Sequence, residues 1–205
     1  MIGLLIKDLY TLKRQLRIVV LISVIYFAVA VLSKNLGMFT GIAMMCAIVL
    51  PITSMAYDEQ CKWDRYALAT PLSRTTIVLS KYVLGVLLNI VGVLLVCAAH
   101  LTGARFGLSV DGELLPTVFG MSTGALAVMS VILPLMYKFG VEKARLIMVI
   151  VFLVPFLLVM AASRFQLELS LDLVKQYVYL LPVAVIGMIL VSLYCSIRIY
   201  KGKEF

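Results

Sequence analysis

Apolar residues come in six runs, at residues 18–32, 36–57, 82–104, 114–137, 146–163 and 177–197, and none of them contains Asp, Glu, Lys or Arg. Runs of about 20 apolar residues are long enough to cross a bilayer as helices. The polar positions gather in short stretches between them. The most informative stretch is residues 58–82, DEQCKWDRYALATPLSRTTIVLSKY, which carries seven charged side chains between the second and third runs. Charge at that density cannot lie in hydrocarbon. The pattern predicts an all-α polytopic membrane protein: one transmembrane domain over residues 1–205, with six membrane helices and a short helix in the 58–74 segment.

Residues 1–17, MIGLLIKDLYTLKRQLR, place Leu5, Leu9, Leu12 and Leu16 on one stripe, with Lys7, Lys13, Arg14 and Arg17 mostly off it. That spacing predicts an amphipathic helix lying on an anionic membrane surface, the plainer reading being a basic flank that orients the first span. Ala28, Val29 and Ala30 resemble a small-residue cleavage site, so a signal peptide is the competing reading. A lead of this length and five further apolar runs favour an uncleaved first helix.

The interior of the runs reads mainly as packing. Met38, Met44, Met45 and Met55 in the second run are gap-fillers or the wall of a path for apolar cargo. In the third run Gly85, Asn89 and Gly92 share a face that lets backbones approach, with Asn89 able to bond across the contact or to touch cargo. Gly120 and Gly124 form a GxxxG pair for close helix association, within the chain or between two copies. Pro51, Pro134, Pro155 and Pro182 predict kinks in four runs. His100, the only histidine, sits near the end of a run and receives no role.

Hydrophobic residues make up 63% of the 205 residues and charged ones 14%, with a net charge of +8. An excess of that size raises nucleic acid as a partner, so the placement of the charges decides. With both termini cytoplasmic, 14 of the 18 Lys and Arg residues fall inside. The inner segments then hold the whole excess and the outer segments are neutral, as the positive-inside rule requires. Nucleic acid is not needed. Cys46, Cys61, Cys97 and Cys195 have no CxxC or His spacing, so neither a metal site nor a disulfide framework is expected. No phosphate-binding loop, HExxH or GxSxG is present, and no charge sits inside a run, which argues against proton-coupled transport and catalysis by this chain.

Within the polar segment, Asp58 and Lys62 are an acid-first i, i+4 pair, and Trp63, Ala67 and Thr70 share a face with Tyr66 beside them. The spacing predicts a helix of about three turns from Asp58 to Leu68. Pro71 ends it by pushing the residue before it out of the helical region, and Ser73 caps the next helix. A Trp and Tyr face among charges is either a protein-docking surface or an aromatic belt on the headgroups.

The acidic pair, the Lys-Trp-Asp cluster, the Tyr, the Pro-x-Ser-Arg step and the Ser-Lys-Tyr, in this order between the second and third spans, resemble the cytoplasmic signature of the ABC-2 type transporter permeases, in the subgroup of small six-span bacterial members. The resemblance implies the transmembrane subunit of an exporter in the bacterial cytoplasmic membrane. It implies two permease subunits, alike or different, and two separate ABC ATPase subunits that hold ATP and Mg, with no cofactor on this chain. It makes the 58–74 segment a coupling helix that docks on the ATPase through Asp58, Glu59, Lys62, Trp63, Asp64, Arg65, Tyr66, Pro71, Ser73 and Arg74. Trp63 and Tyr66 would be the buried anchors, and the KFGVEKAR loop at 138–145 a second contact. The uncharged, Met-rich interior suits an amphipathic or apolar cargo such as a peptide, an antibiotic or a lipid-like molecule. The competing class is an ATPase-independent immunity or scaffold protein, and the weakest is a membrane enzyme, which would need polar groups converging at one depth.

Overall fold

The computed structural model describes residues 1–70, 72–105, 114–147, 149–150, 153 and 181–203, and the statements below concern those residues. They form α1 (Ile2–Ser33), α2 (Gly37–Gln60), α3 (Trp63–Ala69), α4 (Arg74–Arg105), α5 (Leu114–Phe139) and α6 (Leu181–Lys201), with a further helical stretch at 141–147. Five of these, all but α3, are long and apolar enough to cross a membrane. Most of the fifth apolar run and the stretch after it lie outside the described residues.

The first helix departs from expectation. It is one continuous rod of 32 residues with no break near Arg17, so residues 1–17 are not a separate interfacial helix. After Gly3, Leu4–Ser33 contains no Gly or Pro to break the helix. The buried stripe is also rotated from the predicted one. Leu4, Asp8 and Leu12 are buried, while Leu9 is 38% exposed. α1 ends at Lys34, which takes the left-handed conformation (φ 54°), and the N–H of Asn35 returns to the Ala30 carbonyl at 3.2 Å. The Asn35 side chain then accepts from the Gly37 N–H at 2.7 Å and starts α2. The first two helices are thus an antiparallel hairpin, closed at this end by the edge-to-face pair Phe27 and Phe39, 5.7 Å apart.

α2 runs through Pro51 and continues to Gln60, so Asp58 and Glu59 belong to its last turn. The predicted helix from Asp58 to Leu68 is therefore divided. Cys61 closes α2, and Lys62 turns the chain in the left-handed region (φ 50°), leaving α3 only seven residues. Thr70 is extended (ψ 160°), as a residue before proline must be. Ser73 Oγ accepts from the Thr76 N–H at 3.2 Å and caps α4.

α2, α4, α5 and α6 pack around the main apolar core, which contains Ile52, Met55, Val78, Leu133, Met136 and Tyr200, and α1 leans on α2 and α4. Small residues set two of the contacts. A Cβ on Gly85 would overlap the Met129 side chain of α5, and one on Gly92 would lie 3.4 Å from Ala47 of α2. Asn89 lies buried between them. His100 is buried too, its Nδ1 donating to the Val96 carbonyl one turn back at 2.9 Å. Gly120 and Gly124 behave differently: a Cβ on either meets nothing within 4 Å.

Candidate partner-docking site

At the end of the hairpin away from Lys34, charges from three helices meet. Lys81, two turns into α4, places Nζ 2.8 Å from Asp8 Oδ1, 2.6 Å from Asp58 Oδ2 and 2.8 Å from Ser54 Oγ. Lys7 Nζ lies 2.7 Å from Asp58 Oδ1 and 3.0 Å from Asp8 Oδ1. The Asp8 and Lys81 side chains are 1% and 6% exposed. Two cations and two anions balance, which is what allows them to leave water. One atom is left over: Asp8 Oδ2 is buried with no hydrogen-bond partner among the described residues. From this cluster to Phe27 and Phe39 is about 30 Å along the helices.

α3 hangs from this cluster. The Lys7 ammonium lies 4.4 Å from the Trp63 ring centroid, a cation–π contact. Trp63 packs against the main core, and Ala67 on the same face is fully buried. That face points into the chain itself, so the structure gives Trp63 an intramolecular partner. Asp64 accepts from the Tyr200 hydroxyl at 2.9 Å, joining α3 to the end of α6. Arg74 donates to the Lys201 and Lys203 carbonyls at 2.6 and 3.2 Å and so caps α6.

Glu59 holds the KFGVEKAR loop. Gly140 has φ +80°, a conformation L side chains rarely adopt, and the next N–H, of Val141, donates to Glu59 Oε2 at 2.6 Å. A carboxylate at the start of the 141–147 helix also complements its dipole.

Of the predicted docking residues, Asp58, Glu59, Trp63, Asp64 and Arg74 are therefore engaged within the chain, and Ser73 caps α4. Lys62, Arg65 and Tyr66 project outward, Tyr66 at 66% exposure. Pro71 lies outside the described residues. Beside them is a cavity of about 250 Å³ bounded by Asp58, Glu59, Asp64, Lys81, Tyr137 and Gly140 among others. Its three carboxylates are already taken by the lysines, the Val141 N–H and the Tyr200 hydroxyl. No set of free acids remains there to hold a cation. Lys62 and Arg65 on its rim make no ion pair among the described residues.

Sequence reasoning missed Lys7, Asp8, Ser54 and Lys81. A signal for Asp8 was present: it is the only acid of the basic lead, set one turn from both Leu4 and Leu12. Higher up, Tyr82 of α4 joins Ser192 and Ser196 of α6 through its hydroxyl at 2.6 and 2.8 Å, and Ser192 in turn bonds the Ser130 carbonyl of α5.

Five long apolar helices, with a charged assembly gathered at one end, define a polytopic helical membrane protein. Residues 3–201 match the family model described as ABC-2 family transporter protein. The chain belongs to that family, as the 58–82 stretch had suggested. No curated protein and no solved structure matches it.

Proposed function

We propose that this chain is the transmembrane permease subunit of an ATP-binding cassette exporter in a bacterial cytoplasmic membrane. ATP and Mg are held by a separate ATPase, and the cargo is amphipathic or apolar. The observation that carries the reading, beside family membership, is the way α3 is wired. A short helix between the second and third described membrane helices packs on α2 and touches α1 through Trp63 and Lys7 and α6 through Asp64 and Tyr200. A force applied to its outer side is delivered to three helices at once. A helix merely resting on headgroups has no need of these links.

In this reading the ten residues of the segment divide their work. Lys62, Arg65 and Tyr66 contact the ATPase. Asp58, Glu59, Trp63, Asp64 and Arg74 keep α3 seated, Ser73 caps α4, and Pro71 keeps the docking role that the resemblance implies. Both termini are cytoplasmic, the permease acts as a pair, and the open Gly120 and Gly124 face of α5 is the seam where two copies pack.

The test is to purify the tagged chain in mild detergent and identify what accompanies it by mass spectrometry, beside the Arg65→Glu, Tyr66→Ala variant. The expected companion carries a nucleotide phosphate-binding loop and is lost in the variant. A chain that purifies alone under conditions that preserve other transporter complexes overturns the reading in favour of an ATPase-independent immunity or scaffold protein.

A further inference from the structure

α1 has a face that no other described helix covers. Leu9, Tyr10, Lys13, Leu16, Arg17 and Val20 line an open groove of about 650 Å³ along it. Tyr10 is 71% exposed and Val20 60%. Lys13 and Arg17 stand one turn apart, as do Leu16 and Val20 beside them, so the groove has a cationic and an apolar side. The ion pairs at this end of the molecule belong to Lys7 and Lys81. Lys13 and Arg17 make none among the described residues.

Taking Lys34 at one membrane surface, the continuity of α1 sets the depth of these cations. From Lys13 to the turn at Lys34 the helix climbs about 31 Å, close to the thickness of the hydrocarbon core. No charged residue lies between Arg17 and Lys34. With Lys34 at one surface, Lys13 is at the other and Arg17 about one turn inside it. A guanidinium at that depth reaches back along its own stem to the phosphate layer.

We infer that this groove binds an anionic phospholipid of the leaflet at the N-terminal end of α1. The phosphate sits between Lys13 and Arg17, in charge-assisted hydrogen bonds. An acyl chain runs along Leu16 and Val20, and the Tyr10 ring lies at headgroup level. Two cations without a protein counter-charge select a headgroup of net negative charge over a zwitterionic one, whose ammonium cancels its phosphate.

The experiment is native mass spectrometry of the full chain taken from nanodiscs of equal phosphatidylglycerol and phosphatidylcholine. Wild type is expected to retain phosphatidylglycerol over phosphatidylcholine by roughly tenfold. Lys13→Gln with Arg17→Gln brings the ratio to about one without moving the melting temperature, since neither side chain is paired within the chain, and Lys13→Arg with Arg17→Lys preserves the preference. A wild type without preference, or a double glutamine variant that keeps it, overturns the site. So does a photo-crosslinker at position 10 that captures polypeptide rather than lipid in native membranes.

Discussion

Lys81 meets Asp8 across 73 residues of chain, Nζ to Oδ1 at 2.8 Å, and both side chains are almost wholly removed from solvent. The pair ties the first membrane helix to the third described one, at the level where α3 attaches. Taking one partner away leaves the buried four-charge cluster unbalanced by one charge. Asp8→Ala or Lys81→Met alone is expected to cost about 3–5 kcal/mol of stability. The double variant should cost less than the sum, with a coupling of at least about 1 kcal/mol. Reversible unfolding in mixed micelles measures all three; strict additivity would show that the two charges do not act as a pair.

The turn at Gly140 rests on a second long-range contact. An added Cβ there would lie 2.8 Å from Glu59 Oε1, at a φ of +80°. Gly140→Ala is thus expected to destabilise by about 1–3 kcal/mol through the backbone and the displaced carboxylate. Glu59→Ala, which removes only the acceptor of the Val141 N–H, should cost about 1 kcal/mol. Glu59→Gln, which keeps an oxygen in place, should cost less. Melting temperatures in one detergent rank the three, and equal losses would argue against the cap.

Tyr82 tests how α4, α5 and α6 are joined. Tyr82→Phe keeps the ring and removes the hydroxyl that Ser192 and Ser196 share. The expected loss is about 1–2 kcal/mol, since neutral hydrogen bonds contribute modestly and two serines are left to re-pair with helix carbonyls. Once Tyr82→Phe is in place, a further Ser196→Ala should add little. A Tyr82→Phe protein as stable as wild type would mean that packing alone holds these helices.

Gly120 and Gly124 separate folding from assembly. Both glycines are exposed and an added Cβ at either meets nothing within 4 Å among the described residues, so Gly120→Leu with Gly124→Leu should not lower the chain's own stability. If two copies pack there as proposed, bulky side chains hold the backbones apart and self-association should fall by about tenfold or more. Förster transfer between labelled copies in liposomes reads this directly. Unchanged association would move the seam elsewhere.

Much of the local structure was legible without coordinates, because it depends on neighbours in sequence. Thr70 is extended because Pro71 follows, Ser73 caps α4 because its hydroxyl reaches the N–H three residues on, and Gly85 and Gly92 mark contact faces because they recur at helical spacing. The aromatic and charged 58–82 stretch announced the family later matched over residues 3–201. What was not legible depended on distant residues. Whether Trp63 faces outward or inward is settled by Lys7, which reaches it from another helix. The predicted Asp58 to Leu68 helix breaks at Lys62, and Asp64 of the short α3 accepts from Tyr200, 136 residues away.

The sequence by itself determined where lipid and water lie, since apolar runs and basic flanks respond to solvent residue by residue. Only the tertiary structure decided which charges are buried. An isolated α1 has no reason to hide Asp8, and it is hidden because α2 and α4 bring Asp58, Ser54 and Lys81 to the same level. Such a cluster is stable only when all its members are present, so no single segment of sequence contains it.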